Sequence, residues 1–476
     1  MADEILYKIN NAEYKAKFIL TQEGGTSEQI NFSKSAVRGM DIEENFFEPF
    51  TNGNIYLNNA LDMIEDGNLI RGDGKDEFEI QFEPTDQGSG DGGAVRKPLN
   101  YKFVISNELN STSKTDRLNN FKTYQLLDAN YHKLNAAIPY GKRFRGKVGN
   151  IILEIFEEFG MSVAGCGGDW EVGDMEIDLL PEHFLPPTTF RYSDLIKYLL
   201  KINFVKHGKT YWRIFLYWCR ECGEFKYKSP ATIFPEYAEH LIEQFMADDL
   251  IGDPKTEKKL VNPNNPGTGV GYTPTNVNNS PLMNSDFSSP MLIYTNAFFN
   301  NLLVSNYDPI LGEHIMNLIR IKDVKSEWKK KVVDPFTYVG GTPQPWCILN
   351  TQKQNVFRNL GFPFPTDRMA QLAEAELTTN MTFFNLQLNI DTLGNVNRQP
   401  GEFIDVSAAR AQKGDGENPY SGDDINHRSD AKVFGTWFIT KVRHEFSSSK
   451  VDNYTNLLQC IKPHIGPGTP VPSDCI

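Results

Sequence analysis

Trp437–Phe446 reads WFITKVRHEF, and Tyr454–Ile461 reads YTNLLQCI. In both, apolar and polar residues alternate with period two, the pattern of a strand with one buried face. The turn residues Ser447–Asp452 join them. Upstream, Phe384, Leu386, Leu388 and Ile390 alternate in the same way, a turn follows at Asn395–Gly401, and Phe403–Val406 (FIDV) is short and apolar. A loop rich in Gly, Asp and Ser separates Arg410 from Asp430. The whole run, Met381–Lys462, reads as an antiparallel β unit.

The chain contains this order twice. Gly53–Asn58 (GNIYLN) corresponds to the opening strand, and Phe78–Phe82 (FEIQF) to Phe403–Val406. A second Gly/Asp loop, Asp86–Gly93, follows. Tyr101–Leu109 (YKFVISNEL) then stands where Trp437–Phe446 stands, and Phe121–Leu127 (FKTYQLL) where Tyr454–Ile461 stands. Serine turns ending in lysine, Ser111–Lys114 and Ser447–Lys450, close both pairs. Four elements in one order point to an internal duplication.

At 476 residues the chain exceeds a single core, so several domains are expected. Hydrophobic residues make up 39% and aromatic residues 12%, with 32 Phe, enough to build packed cores. The net charge of −13 and the lack of a dense Lys/Arg run argue against nucleic-acid binding through a basic patch. An acidic wall that repels nucleic acid fits the same balance. No apolar run approaches the roughly 20 residues of a membrane helix. The start, MADEILYKIN, lacks the regions of a signal peptide, so a protein made in and kept in the cytosol until assembled or released is expected.

In chain order, residues 1–130 read as the first β unit. Within it Tyr14–Leu20 and Gln29–Phe32 pair about Gly24–Gly25, a strand follows at Ala36–Asn45, and Leu61–Glu65 forms a helical turn. Residues 131–245 change to an α+β module. Val148–Phe159 has helical spacing with Gly160 as its stop. Ser193 is a candidate N-cap for a helix Asp194–Ile202, and Tyr211–Tyr217 alternates as a strand. Residues 246–296, rich in Asn, Pro and Gly, read as an extended loop or arm. Residues 297–462 hold the second β unit, with strands at Leu302–Tyr307 and Ile315–Ile321. In it, 341–365 is a Pro-containing crossover and Asp367–Leu377 a short helix capped by Thr366. Residues 463–476 form a tail with four prolines.

Few residues invite chemistry. Cys219-Arg-Glu-Cys222-Gly223 reads first as a hairpin with two unlinked thiols. A metal site completed by two of Cys166, His183 and His207, or a redox pair, are the alternatives. Six scattered Cys form no small disulfide framework. Glu157/Glu158 and Asp423/Asp424 read as solvated surface. Asp73–Asp76 and Asp415–Glu417 lack the ligand alternation of a calcium loop and read as turns. No nucleophile elbow, phosphate loop or dinucleotide fingerprint occurs, so no catalytic, cofactor or metal residue is assigned.

The runs Arg368–Leu377 (RMAQLAEAEL), Phe384–Ile390 (FNLQLNI), Gln399–Val406 (QPGEFIDV), Gly435–Val442 (GTWFITKV) and Asp452–Lys462 (DNYTNLLQCIK) resemble the close of a baseplate hub protein of contractile-tailed bacteriophages. Ile42–Leu57 with Phe78–Phe82 resembles that family's opening domain, and Ser193–Tyr217 is similar to the matching module of type VI secretion spike proteins. The Asn/Pro-rich insert 252–296 and the Cys219–Cys222 hairpin depart from the family. The resemblance implies two tandem tail-tube-like antiparallel β-barrel or sandwich domains, 46–127 and 381–461 pairing laterally, with a small α+β module between them. It implies a homotrimer whose six domains match a six-fold tail tube protein, with a central spike protein on the far side. Baseplate wedge and tape-measure proteins are further candidate partners. DNA would pass through the channel without specific binding, and the place of action would be the virion tail baseplate. A carbohydrate- or receptor-binding tail-tip protein and a cell-wall hydrolase are the competing readings.

Overall fold

The computed structural model describes residues 5–9, 12–22, 28–32, 36–58, 76–84, 99–109, 121–163, 180–207, 210–220, 223–234, 241–246, 278–281, 284–288, 301–308, 313–320, 346–350, 386–407, 435–447 and 454–462, with parts of 371–383. The fold is mainly β, with an α+β insertion.

The first unit supplies β1 (Ile5–Ile9), β2 (Ala12–Gln22), β3 (Glu28–Asn31), β4 (Val37–Asn45), β5 (Glu48–Asn58), β6 (Glu77–Pro84), β7 (Leu99–Leu109) and β8 (Phe121–Asp128). They alternate as read: Phe78, Ile80 and Phe82 are buried while Glu77, Glu79 and Gln81 are partly exposed. β6, β7, β8, β5 and β4 pair antiparallel in that order, and β2 and β3 pair as expected.

The middle module contains β9 (Phe144–Gly146), β10 (Leu180–Phe184), β11 (Phe204–His207), β12 (Thr210–Arg213), β13 (Phe215–Cys219) and β14 (Glu224–Lys228), paired as three hairpin-like ladders. Its helices are Ala129–Ala136, Val148–Glu158, Tyr192–Ile202 and Pro230–Ile233. Val148, Ile151, Ile152, Ile155 and Phe156 bury one helical face, and Gly160, at φ +67°, ends that helix.

The remainder supplies β15 (Leu241–Met246), β16 (Asn278–Pro281), β17 (Asn284–Ser288), β18 (Asn301–Asp308), β19 (Glu313–Arg320), β20 (Trp346–Asn350), β21 (Leu386–Leu393), β22 (Phe403–Ser407), β23 (Gly435–Ser447) and β24 (Tyr454–Lys462). β18, β19 and β20 form a separate small sheet. β22, β23, β24, β21 and β17 pair antiparallel in that order. This is the path β6, β7, β8, β5, β4 of the first unit repeated strand for strand.

A shared irregularity fixes the alignment of the repeats. The β7–β8 register slips between Ile105 and Asn107, and the β23–β24 register slips between Ile439 and Lys441. Each slip is a β-bulge whose extra residue carries a hydroxyl. Ser106 Oγ donates to the Gln125 carbonyl at 3.2 Å, and Thr440 Oγ1 to the Gln459 carbonyl at 2.9 Å. Phe103–Ser106 (FVIS) therefore lies on Trp437–Thr440 (WFIT), two residues later in β7 than matching the starts of the two runs would give.

The two units are joined in one sheet, because β4 also pairs antiparallel with the second half of β23, from Lys441↔Asn45 to Ser447↔Gly39. The strands of this sheet number 15 among the described residues. Beside the joint, Phe46 at the β4–β5 turn packs on Tyr217 (4.8 Å), Phe438 (5.0 Å) and Phe383 (5.8 Å), bringing both units and the module into one aromatic core.

Several local readings need correction. The 246–296 arm contains β16 and β17, whose Asn/Ser-rich residues become strands through backbone pairing with β15 and β21 rather than through propensity. The crossover 341–365 contains β20, parallel to β18. The helix placed at 194–202 begins at Tyr192 and is N-capped by Arg191; Ser193 instead donates to Asn135 Oδ1 at 3.0 Å. The strand 211–217 is two strands, broken at the buried Ile214. The helix 367–377 is helical at 371–372 and 374–376 and continues to 378–379. Leu61–Glu65, the loops 86–93 and 410–430, the serine turns and 463–476 lie outside the described residues.

Candidate functional site: a buried arginine at the joint of the two repeats

The sequence assigned no site residue. The structure draws attention to Arg220, between the two cysteines of the hairpin singled out above. β13 and β14 carry it, and Gly223, at φ +68°, turns the chain back with its N–H on the Cys219 carbonyl at 2.9 Å. Arg220 reaches the seam between the repeats.

The Arg220 guanidinium, 9% exposed, divides its donors among three parts of the chain. Nη1 donates to Glu44 Oε1 of β4 and to Tyr101 Oη of β7, each at 2.9 Å. Nη2 donates to the Val396 carbonyl and, at 2.9 Å, to the Arg398 carbonyl, both in the β21–β22 loop. Its backbone N–H reaches Gln399 Oε1 at 2.9 Å. A planar fork of five donors suits this spread of acceptors. Tyr101 donates to Glu44 as well.

Behind Glu44 stands His444 of β23, fully buried, with Nε2 at 3.6 Å from Glu44 Oε2. Its tautomer follows from its neighbours. Asn456 Oδ1 accepts from Arg398 Nη1 and from the Asn395 N–H, both at 2.7 Å, so the Asn456 amide N faces His444 Nδ1, at 2.9 Å. An amide N only donates, so Nδ1 accepts and the ring proton is assigned to Nε2, which lies 3.6 Å from Glu44 Oε2 and 3.4 Å from Arg220 Nη1.

The electrostatics agree. Burial works to raise the Glu44 pKa, but Arg220 and His444 overcome it and hold the carboxyl down at about 2. Burial pushes His444 below its ordinary range, so it stays neutral. Arg220 is pushed up by Glu44 against the effect of burial, and Tyr101 is pushed well up by burial. Glu44 Oε1 takes both bonds, from Arg220 and Tyr101, while Oε2 faces His444 without one; a buried ion pair of this kind resists removal of either member. Its groups are spent on one another, and the arrangement fits a fastening rather than catalysis.

Of the cysteine motif and the residues that could complete it, Cys219 and His207 have described side chains. Cys219 is buried and accepts from Gln399 Nε2 at 3.9 Å. His207 is bonded to Ser229 Oγ at 2.9 Å. His183 lies in β10, while Cys166 and Cys222 lie outside the described residues. Among the described residues, no three His, Cys, Asp or Glu side chains gather as metal ligands. Glu157 and Glu158 are exposed, as read, and Glu158 meets Lys142 at 2.6 Å. Asp423/Asp424, Asp73 and Asp415–Glu417 lie outside the described residues; Asp76 is buried.

The opposite face of the same joint is polar. Lys441 pairs with Glu43 at 2.7 Å and Arg443 with Asp41 at 3.2 Å. Asp41 also accepts from Asn54 and Tyr56. Asn54 lies opposite Gln125 in the first repeat, and Asn389 opposite Gln459 in the second.

No protein-family model and no curated protein matches the chain. Solved structures do. The tail protein of Neisseria meningitidis aligns with 95% of this chain and 98% of its own, at 9% identity and a TM-score of 0.50. The chain has a tail-protein fold. The prophage 43 kDa tail protein of Shewanella oneidensis aligns with 94% of this chain and 98% of its own, at 9% identity and a TM-score of 0.46. A chain of the Francisella PdpA–VgrG complex aligns over 98% of this chain and 60% of its own, at 11% identity and a TM-score of 0.46. At such identity the tail-protein fold is a likeness of backbone path; the Arg220 fastening is read from this chain alone.

Proposed function

We propose that the chain is a structural baseplate hub of a contractile tail. Three copies form a ring of six similar units, which meets a six-fold tail tube on one side and a three-fold spike on the other, with DNA passing through. The joint of β4 on β23 carries this reading, because one repeat already docks on the other edge to edge within a single chain. The tail-protein fold supports a structural role in a tail. The units are the first repeat within 1–130 and the second within 297–462 extended to include β17; the wedge and tape-measure proteins are further neighbours.

The polar face supports a wall that DNA slides past. Gln125, Asn389 and Gln459 are exposed there, and the cations Lys441 and Arg443 already face carboxylates. Neutral amides and matched ion pairs leave little net positive charge for phosphates to recruit. The arrangement of Arg220, Glu44 and His444 favours no enzymatic role.

Mass photometry with negative-stain imaging tests the proposal. A species of three chain masses with six lobes about a hole is expected; a chain that stays monomeric alone and with tail components overturns it. One patch favours a second reading, a receptor- or glycan-binding tail-tip protein: Tyr140 is 87% exposed, with Ile138 and Leu185 exposed in the same module. Glycan-array binding lost in Tyr140→Ala would support that reading.

A further inference from the structure

The matched repeats allow the joint inside the chain to be read as a template. On one edge β23 carries two strands, β22 along 435–438 and β4 along 441–447. Its equivalent, β7, carries β6 on the corresponding edge along 99–104. Among the described residues, no strand pairs with that edge at 105–109. The missing strand has an identity. β4 lies on β5, and the equivalent of β5 is β21, whose outer neighbour is β17. Among the described residues, the other edge of β17 is unpaired too.

The registers give the equivalence residue by residue. Asn54 faces Gln125 and Asn389 faces Gln459, so Asn54 and Asn389 hold one place. Asp41 faces Asn54 and Asp286 faces Asn389, so Asp286 holds the place of Asp41. One step along, Ser288 holds the place of Glu43. The common bulge likewise puts Leu109 in the place of Arg443, both three residues past the bulged hydroxyl.

We infer that β17 of one copy adds antiparallel to the 107–109 edge of β7 in a second copy of this chain, as β4 adds to β23 within it. The inference rests on the hub reading and supplies its contact. Glu43 opposite Arg443 in the internal joint becomes Ser288 opposite Leu109 between copies. β7 and β17 lie at opposite ends of the strand path β7, β8, β5, β4, β23, β24, β21, β17, so a contact between copies joins two different edges and runs head to tail. Such a contact must close into a ring or continue as a filament. Ser106, Asn107 and Glu108 are exposed along the open edge, as polar guards of a strand that awaits a specific partner. The two joints differ in chemistry: in the internal one Arg443 and Glu43 each join an ion pair, with Asp41 and Lys441, and the equivalent positions between copies are leucine and serine.

The test is a cysteine pair. Residues directly opposite on antiparallel strands bring their Cβ atoms to about 4.5–5.5 Å, within reach of a disulfide after small adjustment or of a short bis-maleimide. The full chain carrying Leu109→Cys and Ser288→Cys is oxidised or cross-linked, beside the unsubstituted chain and each single variant to account for native cysteines. Mass photometry of the same samples is run in parallel. Covalent species of two and three chain masses in the double variant, and in no control, are expected. A trimer that yields no cross-link with either reagent overturns this strand contact and leaves the ring standing. A monomer with no cross-link at every concentration overturns self-association through these edges. Cross-linked species that extend beyond three copies retain the contact but overturn the three-membered ring.

Discussion

Arg220 cannot be removed without leaving the Glu44 carboxylate buried with Tyr101 and a neutral His444 but no cation. Arg220→Ala is expected to destabilise the chain by about 3–5 kcal/mol, read from chemical denaturation. Arg220→Lys should recover little, since one ammonium cannot serve Glu44, Tyr101 and two carbonyls at once. The acid limit follows from the same cluster. Glu44 is lowered from 4.5 to about 2 on folding, so its contribution is full above 4.5 and is lost as pH falls toward 2, on the order of 3 kcal/mol. His444, held neutral by burial, works the same way from higher pH: stability falls as pH drops below its ordinary value. Asp128 has the opposite sign. It caps the helix Ala129–Ala136 through the N–H groups of Asn130 and Tyr131, yet burial pushes it up to about 6. Asp128→Asn should therefore stabilise at pH 7 by about 1–2 kcal/mol, allowing for its half-buried side chain and the similar capping strength of Asn. That gain should vanish below pH 4, where the wild-type carboxyl is protonated; a gain that persists there would contradict the assignment. The fastening was hidden in the sequence because Arg220 sat inside a motif that draws the eye to its cysteines. Its partners left a fainter mark: Glu44 between Ile42 and Phe46, and His444 between Val442 and Phe446, are polar residues at inward-facing positions of an alternating strand.

The strands themselves were legible where alternation was strong. β5, β6, β7, β8, β21, β22, β23 and β24 all bury apolar side chains every second residue, and their order disclosed the repeat. β16 and β17 were not, since Asn-Asn-Ser-Pro and Asn-Ser-Asp-Phe-Ser have no apolar period and owe their form to neighbours. Nor does spacing alone show that β4 pairs with a strand of each unit. Gly39 carries a mark of it: a Cβ there would lie 2.7 Å from the Phe446 carbonyl oxygen across the joint, against backbone that cannot swing aside. Gly39→Ala is expected to part β4 from β23 locally and lower the unfolding midpoint, with faster hydrogen exchange at 441–447 than in the rest of β23 as the specific sign. The bulge hydroxyls offer a matched pair of tests. Ser106→Ala and Thr440→Val each delete one hydrogen bond to a glutamine carbonyl, a loss of about 1 kcal/mol apiece. Exchange protection should drop at residue 125 in one variant and at 459 in the other.

At the scale of the whole molecule, two units and a module share one aromatic core around Phe46, so they should unfold together. Phe46→Ala removes contacts to both units and the module, at a cost of about 3–5 kcal/mol, and is expected to split a single calorimetric transition into two. A single transition that merely shifts would mean that the sheet alone couples the units. The duplication was visible in the sequence, while the continuity of the sheet across it was not, because pairing between distant strands leaves no periodic trace. One consequence reaches past the single chain. The hydroxyl-bearing bulge recurs at the same rung of both repeats, and a bulge bends its strand by an amount set locally. Like the staves of a cask, equal pieces with equal bends fix the bore before they are assembled. In the proposed ring, the width of the passage would then be written into Ser106 and Thr440 rather than into the surfaces that neighbours touch.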